Sequence, residues 1–199
     1  MKNAMERILA RPLAEVTFAF LDVETTGLSP LKGGRVCEVA VSRRCGDADL
    51  GHFHTLIHPG CGIPEEVIKI HGITDTMVAK SPRFEAVAPR LLGILDGAAL
   101  VCHNAGFDVG FMEHEFSMAG LKFPRMPVLD TLKIARRHAR FSRNTLGNIA
   151  AELGIDCGGW HRALSDVKIT EQIFLHFLGK FAVSGAKTLK DIMAECRGK

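Results

Sequence analysis

The order of strand-like and helix-like segments is the feature that most limits the fold of this chain. Three segments rich in apolar and β-branched residues come first, and strands then alternate with helices. The predicted strands cover residues 16–22, 35–44, 50–58, 98–102 and 127–130. The predicted helices cover residues 64–72, 82–96, 106–119, 144–153 and 162–178, with a further helix from Thr131. This order predicts an α/β fold, in which helices cover both faces of a mixed sheet.

Length and composition fit one folded domain with short ends. The chain has 199 residues, of which 47% are hydrophobic and 24% charged. We expect an N-terminal extension over residues 1–15, one domain over 16–180, and a C-terminal tail or short helix over 181–199. No apolar run approaches the roughly 20 residues that span a bilayer, and the first residues lack the apolar core of a secretory signal. These features predict a cytoplasmic protein with no membrane partner.

Acidic residues stand inside otherwise apolar or small-residue segments at three places. They are Asp22 and Glu24 at the end of VTFAFLDVE, Asp108 in HNAGFDVGF, and Asp166 at the end of HRALSD. Because side chains alternate along a strand, Asp22 and Glu24 point to the same face, about 7 Å apart along the chain. Two such acids raise each other's pKa unless a cation neutralises them. Carboxylates that hold two divalent metals form a device for cleaving phosphodiesters, so the pattern favours a metal site.

Each of these residues also has a structural explanation when it is taken alone. Asp22 and Glu24 would be solvated acids at the mouth of a strand. Asp108 and Asp166 would be acids favoured by the dipole of a first helical turn. His161, five positions before Asp166, is either an exposed loop histidine or a base that takes a proton from water. The joint occurrence of the four acids and the histidine, in this order, favours the metal site.

A second concentration of charge is basic. The segment KIARRHARFSR, residues 133–143, carries five lysines or arginines and no acid, although the net charge of the whole chain is only +3. A phosphate backbone would suit this segment. The alternative is a solvated helix face followed by a loop.

The predicted third strand carries several histidines. In GHFHTLIH, the residues His52, His54 and His58 share a face by alternation. Three histidines can bind zinc. An exposed strand face beside a hairpin is the simpler interpretation, and we prefer it.

Three motifs in this chain resemble those of a known enzyme family. FLDVETTGL, HNAGFDVGFM and HRALSD are similar to the exonuclease motifs of the DEDDh 3′–5′ exonucleases, the DnaQ-like family that includes the proofreading epsilon subunit of bacterial DNA polymerase III. HGIT at 71–74 and LDTLKIAR at 129–136 also resemble segments of that family. The resemblance covers residues 17–178. It implies a ribonuclease H-like fold, with a mixed five-stranded sheet, and two Mg²⁺ or Mn²⁺ ions.

The resemblance also implies roles for individual residues. The acids Asp22, Glu24, Asp108 and Asp166 would match the family's metal ligands, and His161 its general base. The residues it implies around the terminal nucleotide are Thr25, Thr26, Gly27, Leu28, His71, Asn104 and Phe107.

The activity implied by the resemblance is release of nucleoside 5′-monophosphates from single-stranded or frayed DNA 3′ ends, in proofreading or repair. An exoribonuclease or short-oligonucleotide hydrolase on the same fold stays open, because RNA and DNA are cleaved at the same bond. A non-catalytic binding or assembly subunit is the alternative from another class. A DNA polymerase is the implied protein partner. The residues after Leu178 contain no recognisable polymerase-binding or clamp-binding stretch, so we expect a stand-alone enzyme, and the sequence leaves its oligomeric state open.

Overall fold

A mixed five-stranded sheet lies at the centre of the computed structural model, which describes residues 4–156 and 162–196. Its strands are β1 (Thr17–Thr25), β2 (Val36–Cys45), β3 (Ala48–Leu56), β4 (Ala99–Cys102) and β5 (Val128–Asp130). They lie side by side in the order β3-β2-β1-β4-β5. The pairs β1–β2 and β2–β3 are antiparallel, whereas β1–β4 and β4–β5 are parallel. The predicted α/β fold with a mixed sheet is confirmed.

Helices cover both faces of this sheet. In chain order they are α1 (Ala4–Leu9), α2 (Glu65–His71), α3 (Asp75–Val78), α4 (Phe84–Leu95), α5 (Ala105–Met118), α6 (Thr131–His138), α7 (Leu146–Glu152), α8 (Ala163–Val183) and α9 (Leu189–Cys196). Helices α4 and α5 pack on one face, and α6 to α9 pack on the other. Within the described ranges, no helix combines the length and the apolar character that a membrane crossing requires.

Strand β1 divides its side chains between the two helical layers. Phe20 packs edge-on against Phe174 of α8, whereas Leu21 belongs to the core beneath α4 and α5. Asp22 and Glu24 have the same parity as Phe20. The period of two along a strand therefore brings both carboxylates to the α8 face.

Helix α8 is longer than predicted. It continues through Gly179 to Val183, and the chain reverses at Gly185, where φ is 96°. Phe177 and Phe181 lie on either side of Gly179 and are buried in the core. Their packing outweighs the roughly 1 kcal/mol by which glycine disfavours a helix interior. The prediction that the helix stops at residue 178 was therefore wrong.

Helices α1, α2 and α3 follow the prediction only in part. Gly72 ends α2 in the left-handed conformation, with φ of 73°, as expected. Pro64 caps this helix and Glu65 is its first residue, one position later than predicted. The sequence pattern did not predict α1 or α3, because each is too short to show a helical period.

The N-terminal and C-terminal segments pair with each other. The Leu13 N–H donates to the Lys187 carbonyl at 3.0 Å, and the Leu189 N–H donates to the Arg11 carbonyl at 3.2 Å. Leu189 and Ile192 of α9 are fully buried. The segment after α8 therefore contains a helix docked on the core.

Candidate metal centre

Three carboxylates converge between β1 and α8. Asp22 and Glu24 come from β1, and Asp166 comes from the first turn of α8. One ligand oxygen from each lies within 4.8 Å of the others, and all three residues are half-buried. Among the residues that the structure describes, no other group of three or more histidine, cysteine, aspartate or glutamate side chains has metal-ligand spacing. Two acids that are far from the third in sequence thus share one site.

Asp108 lies beside these three carboxylates and is tied to β1. It sits in the first turn of α5, is 3% exposed, and accepts a hydrogen bond on Oδ1 from the Val23 N–H at 3.2 Å. Its charge contributes to raising the pKa of Asp22, second only to burial. Asp108 therefore acts on the site from a fixed position, with one oxygen already bonded to the backbone.

The electrostatics of the site favour a bound cation. Burial, followed by the charges of Asp108, Glu24 and Asp166, raises the pKa of Asp22 well above its ordinary value. Burial and the charge of Asp166 raise the pKa of Glu24 to about 8, and burial also raises the pKa of Asp108. In residues 4–156 and 162–196, no lysine, arginine or histidine forms an ion pair with Asp22, Glu24 or Asp108. A set of carboxylate oxygens lacking a counter-charge fits a hard divalent metal ion, which would keep these groups ionised.

A buried glutamate next to these carboxylates was not predicted from the sequence. Glu38 lies opposite Glu24 in the β1–β2 register and is fully buried. It accepts hydrogen bonds from Arg162 and from the Ala163 N–H. The signal was available, because Glu38 interrupts the apolar run VCEVAV just as Asp22 interrupts its own run.

Glu115 of α5 is a second buried acid that was not predicted from the sequence. Arg35 donates to it from Nε and Nη2, both at 2.8 Å, and the Val36 N–H donates at 3.1 Å. Arg35 also brackets Thr26: its N–H donates to the threonine hydroxyl at 3.0 Å, and its carbonyl accepts from the Thr26 N–H at 2.8 Å. This pair therefore ties α5, which carries Asp108, to the residues that follow β1.

The general base implied by the family resemblance, His161, lies outside the described residues. It directly precedes Arg162, whose contacts with Glu38 are described. Its role stays a prediction.

The segment that follows β1 divides into a buried and an exposed part. Thr25 and Thr26 are 5% and 6% exposed, and the Thr25 hydroxyl donates to the Gly27 carbonyl at 2.7 Å. Leu28 is 89% exposed. The threonine hydroxyls are thus used within the protein, whereas the leucine side chain is free to meet a ligand.

Two further residues expected near the nucleotide stand at the start of α5. Asn104 caps the helix in the left-handed conformation, with φ of 67°, and is the only non-glycine residue of the described chain with positive φ. Its N–H donates to Asp130 Oδ1 at 3.1 Å. Phe107 is half-buried, and its ring centroid lies 4.9 Å from that of Phe111. Both residues lie within one turn of Asp108.

His71 lies in a small separate core. It is 4% exposed, its Nδ1 accepts from the Ile73 N–H at 3.0 Å, and its Nε2 lies 3.9 Å from Cys37 Sγ. Both ring nitrogens have partners within this core. Its contact with a nucleotide therefore stays a prediction.

The histidines of β3 and its C-terminal flank are engaged separately. His54 Nε2 lies 2.7 Å from Glu38 Oε1, and His58 lies past the end of β3, where its Nδ1 accepts from the Gly60 N–H at 3.1 Å. The zinc alternative is therefore not supported.

The basic segment begins at the sheet edge where β4 and β5 end. Asp130, the last residue of β5, pairs with Cys102 of β4 and caps α6 by accepting from the Leu132 N–H at 3.0 Å. Helix α5 also starts at this edge, immediately after β4. The exposed basic residues of α6 and the loop after it are Lys133, Arg136, Arg137, Arg140 and Arg143.

Known proteins share this fold. Residues 19–174 match the model of the RNase T-type exonuclease family. The chain is 36% identical over 176 residues to the 3′-5′ exonuclease DinG of Bacillus subtilis, an alignment that covers 88% of this chain and 19% of the relative. It is also 36% identical over 169 residues to the DNA polymerase III subunit epsilon of Pasteurella multocida, covering 80% of this chain and 67% of that subunit. Of the solved structures, Exonuclease X in complex with 5′ overhanging duplex DNA is 25% identical, has a TM-score of 0.71, and is aligned over 90% of this chain and 99% of that one.

The chain therefore belongs to the exonuclease family, and its fold is the ribonuclease H-like fold of these nucleases. The family expected from the three motifs is confirmed. The chain spans about a fifth of the Bacillus subtilis relative and two thirds of the Pasteurella multocida subunit.

Proposed function

We propose that this chain is a metal-dependent 3′–5′ exonuclease that releases nucleoside 5′-monophosphates from DNA 3′ ends. The observation that carries the proposal is the convergence of Asp22, Glu24 and Asp166 within 4.8 Å of one another. These acids stand on an exonuclease fold, and the raised pKa values of Asp22 and Glu24 call for a cation. The names of the DinG and epsilon relatives support the 3′–5′ direction and the DNA substrate.

The residues suited to hold the metal are Asp22, Glu24 and Asp166, with Asp108 beside them. When bound, two Mg²⁺ or Mn²⁺ ions would supply activation of a water molecule and stabilisation of the departing 3′ oxygen. The Val23 N–H donates a hydrogen bond to Asp108, which holds this carboxylate in place, and from there Asp108 would orient the metal ligands. The four acids are thus given distinct tasks: three bind and one orients.

His161 is the proposed base that removes a proton from the attacking water. An imidazole titrates near neutrality and is suited to this task. We expect His161→Ala to slow nucleotide release by about 10²–10⁴-fold, the usual contribution of a general base. The matched control is His176→Ala, because His176 is an exposed histidine farther along α8. Single-turnover rates across pH would measure both variants, and a His161→Ala rate equal to that of the parent would remove the role.

The terminal nucleotide would lie against the segment after β1 and the start of α5. Leu28 and Leu31 are 89% and 92% exposed, an unusual position for two large apolar side chains so close in sequence. We assign Leu28 to contact with base and sugar, together with the main chain of residues 25–27. Asn104 and Phe107 would face it from the start of α5. Since the terminal base must leave the duplex, single strands and frayed ends should be preferred.

The test of the proposed function is digestion of end-labelled oligonucleotides. Single-stranded, duplex and mismatched DNA are compared with matched RNA, with and without Mg²⁺. We expect metal-dependent release of mononucleotides from DNA 3′ ends, fastest on single strands and mismatched ends. Faster release from RNA would assign the chain to the exoribonucleases, and absence of cleavage with Mg²⁺ and Mn²⁺ would refute nuclease function. The epsilon relatives make a DNA polymerase the partner to test, by co-sedimentation with a replicative polymerase subunit.

A further inference from the structure

An ion pair between the part-exposed Arg162 and the fully buried Glu38 joins the start of α8 to β2. Arg162 donates to Glu38 Oε1 from Nη2 at 2.6 Å and from Nε at 3.0 Å. The first N–H groups of a helix have no acceptor within the helix. At the start of α8, the Ala163 N–H donates instead to Glu38 Oε2 at 2.9 Å. On the other side, His54 Nε2 lies 2.7 Å from Oε1. Both oxygens of the fully buried Glu38 are therefore engaged, and three elements of the fold meet at one carboxylate.

This pair stands directly beside the metal centre. Glu38 is the register partner of Glu24 on the neighbouring strand. Arg162 immediately follows His161, and its carbonyl accepts the Asp166 N–H at 3.1 Å, within the first turn of α8. The contacts that hold Arg162 in place therefore also hold the helical turn that carries Asp166.

The charges of the pair offset each other next to the site. The charge of Glu38 raises the pKa of Glu24, whereas the guanidinium of Arg162 lowers it. Burial alone would raise the pKa of Glu38. The hydrogen bonds from Arg162, His54 and the Ala163 N–H outweigh burial and hold this pKa below its ordinary value. Glu38 therefore stays ionised at neutral pH and is a permanent anchor for Arg162.

A second arginine–glutamate pair joins the same strand and helix farther from the metal centre. Arg44 of β2 donates from Nε to Glu171 of α8, and the Ser42 hydroxyl donates to the same carboxylate at 3.0 Å. Glu171 lies more than one helical turn beyond Asp166. Both pairs join β2 to α8, but only Glu38–Arg162 holds the turn that carries Asp166.

We propose that Glu38 and Arg162, supported by His54, are positioning residues that set the place of Asp166 relative to Glu24. The inference rests on the proposed function of the site and names the residues that align it. Glu38 and Arg162 touch no reacting atom in this role. They orient the acid that binds metal, as outer-shell partners of metal ligands do in other enzymes.

The test compares Arg162→Met with Arg44→Met. Calorimetric titration with Mn²⁺, without nucleic acid, measures the site itself, and kcat and KM for nucleotide release measure the proposed function separately. We expect Arg162→Met to weaken Mn²⁺ binding by about 10–100-fold and to lower kcat by a similar factor with KM little changed. Arg162→Lys should recover only part of the loss, because one ammonium cannot reproduce the two-pronged guanidinium contact. Arg44→Met should leave Mn²⁺ affinity and kcat within about twofold of the parent while lowering thermal stability.

Three results would overturn the proposal: an Arg162→Met variant with parental Mn²⁺ affinity, equal losses in Arg162→Met and Arg44→Met, or full recovery by Arg162→Lys. The double variant Glu38→Gln/Arg162→Met removes the buried anion together with its partner, so it tests the pair without an isolated buried charge. We expect this double variant to bind Mn²⁺ no more weakly than whichever of the single variants Glu38→Gln and Arg162→Met binds it more weakly. If the parent binds Mn²⁺ but releases no nucleotide, the proposed function fails while the Mn²⁺ comparison still tests the positioning role.

Discussion

Two sets of buried or half-buried acids lie in the same part of this molecule, and they differ in what neutralises them. Glu38 and Glu115 each receive two bonds from one arginine and a further bond from a backbone N–H. Asp22 and Glu24 have no such partner among the described residues, and burial, followed by the charges of neighbouring acids, raises the pKa of each. The first set is complete as folded, whereas the second needs a cation from solution.

The comparison shows that burial alone does not mark a functional acid. Glu38 and Glu115 are the more deeply buried, at 0% and 1% exposure, yet they stabilise the arrangement of elements and bind no metal in our proposal. What distinguishes Asp22 and Glu24 is the missing counter-charge. Removing an acid of the second set should therefore cost activity directly. Removing Glu115 should cost stability, and removing Glu38 should cost stability together with the alignment of the metal centre.

The largest effect should follow from removing a proposed metal ligand. We expect Asp22→Asn to lower Mg²⁺-dependent nucleotide release by about 10³-fold or more, because metal assistance contributes several kcal/mol to the transition state. The same variant should melt no lower than the parent in the absence of metal, since it removes an acid whose ionisation the folded site disfavours. Initial rates and thermal melting check both statements, with Glu113→Gln on the exposed face of α5 as the matched control. Undiminished activity would refute the site.

Breaking a paired acid should give the opposite result. Glu115→Gln leaves the Arg35 guanidinium without its anion, and we expect it to lower the free energy of unfolding by about 2–3 kcal/mol. This is less than the roughly 3–5 kcal/mol for a fully buried pair, because the Arg35 side chain remains 22% exposed. Urea denaturation measures this free energy of unfolding. The control is Glu65→Gln, which breaks the exposed Lys69–Glu65 pair and should change the free energy of unfolding little. A Glu115→Gln variant as stable as the parent would show that the paired set does not hold the fold.

The unpaired set should also make stability depend on pH. Glu24 keeps its proton up to about pH 8 in the folded chain but releases it near its ordinary pKa of 4.5 when unfolded. The folded state thus binds more protons than the unfolded state within this window, so the stability of the metal-free protein should fall as pH rises through it. Saturating Mn²⁺ should restore melting temperature most at the upper end of the window. A metal-free stability that does not change across this window would contradict the raised pKa values.

The smallest effect concerns substrate binding at the basic segment. Reversing Arg136, Arg137 and Arg140 to glutamate should weaken binding of single-stranded DNA and reduce the dependence of affinity on salt, because fewer phosphates are neutralised. Fluorescence anisotropy at several salt concentrations measures this. Lys180→Glu, near the far end of α8, is the control. An unchanged salt slope would favour the solvated-face interpretation of this segment.

The elements that place the acids were predictable because their signals are local. Alternation in β1 put Asp22 and Glu24 on one face, and the start of α8 was placed within one residue of the observed Ala163. The end of α8 was not predictable from Gly179, because burial of Phe177 and Phe181 is a tertiary effect.

The candidate site was predictable only in part. An acid within an apolar run indicates that a positive charge lies nearby. This rule identified Asp22, and it applies equally to Glu38, which was not singled out. The sequence does not tell which acid receives an arginine and which is left for a metal. That answer depends on Arg162 reaching Glu38 across 124 residues of sequence, which only the folded chain shows.

The left-handed backbone at Asn104 has a consequence for mutagenesis of this site. Asparagine tolerates that conformation better than most residues, whereas alanine there would carry a penalty of about 1 kcal/mol or more that glycine would not. Alanine scanning would therefore overstate the importance of this side chain to catalysis, and glycine is the truncation that isolates its chemistry.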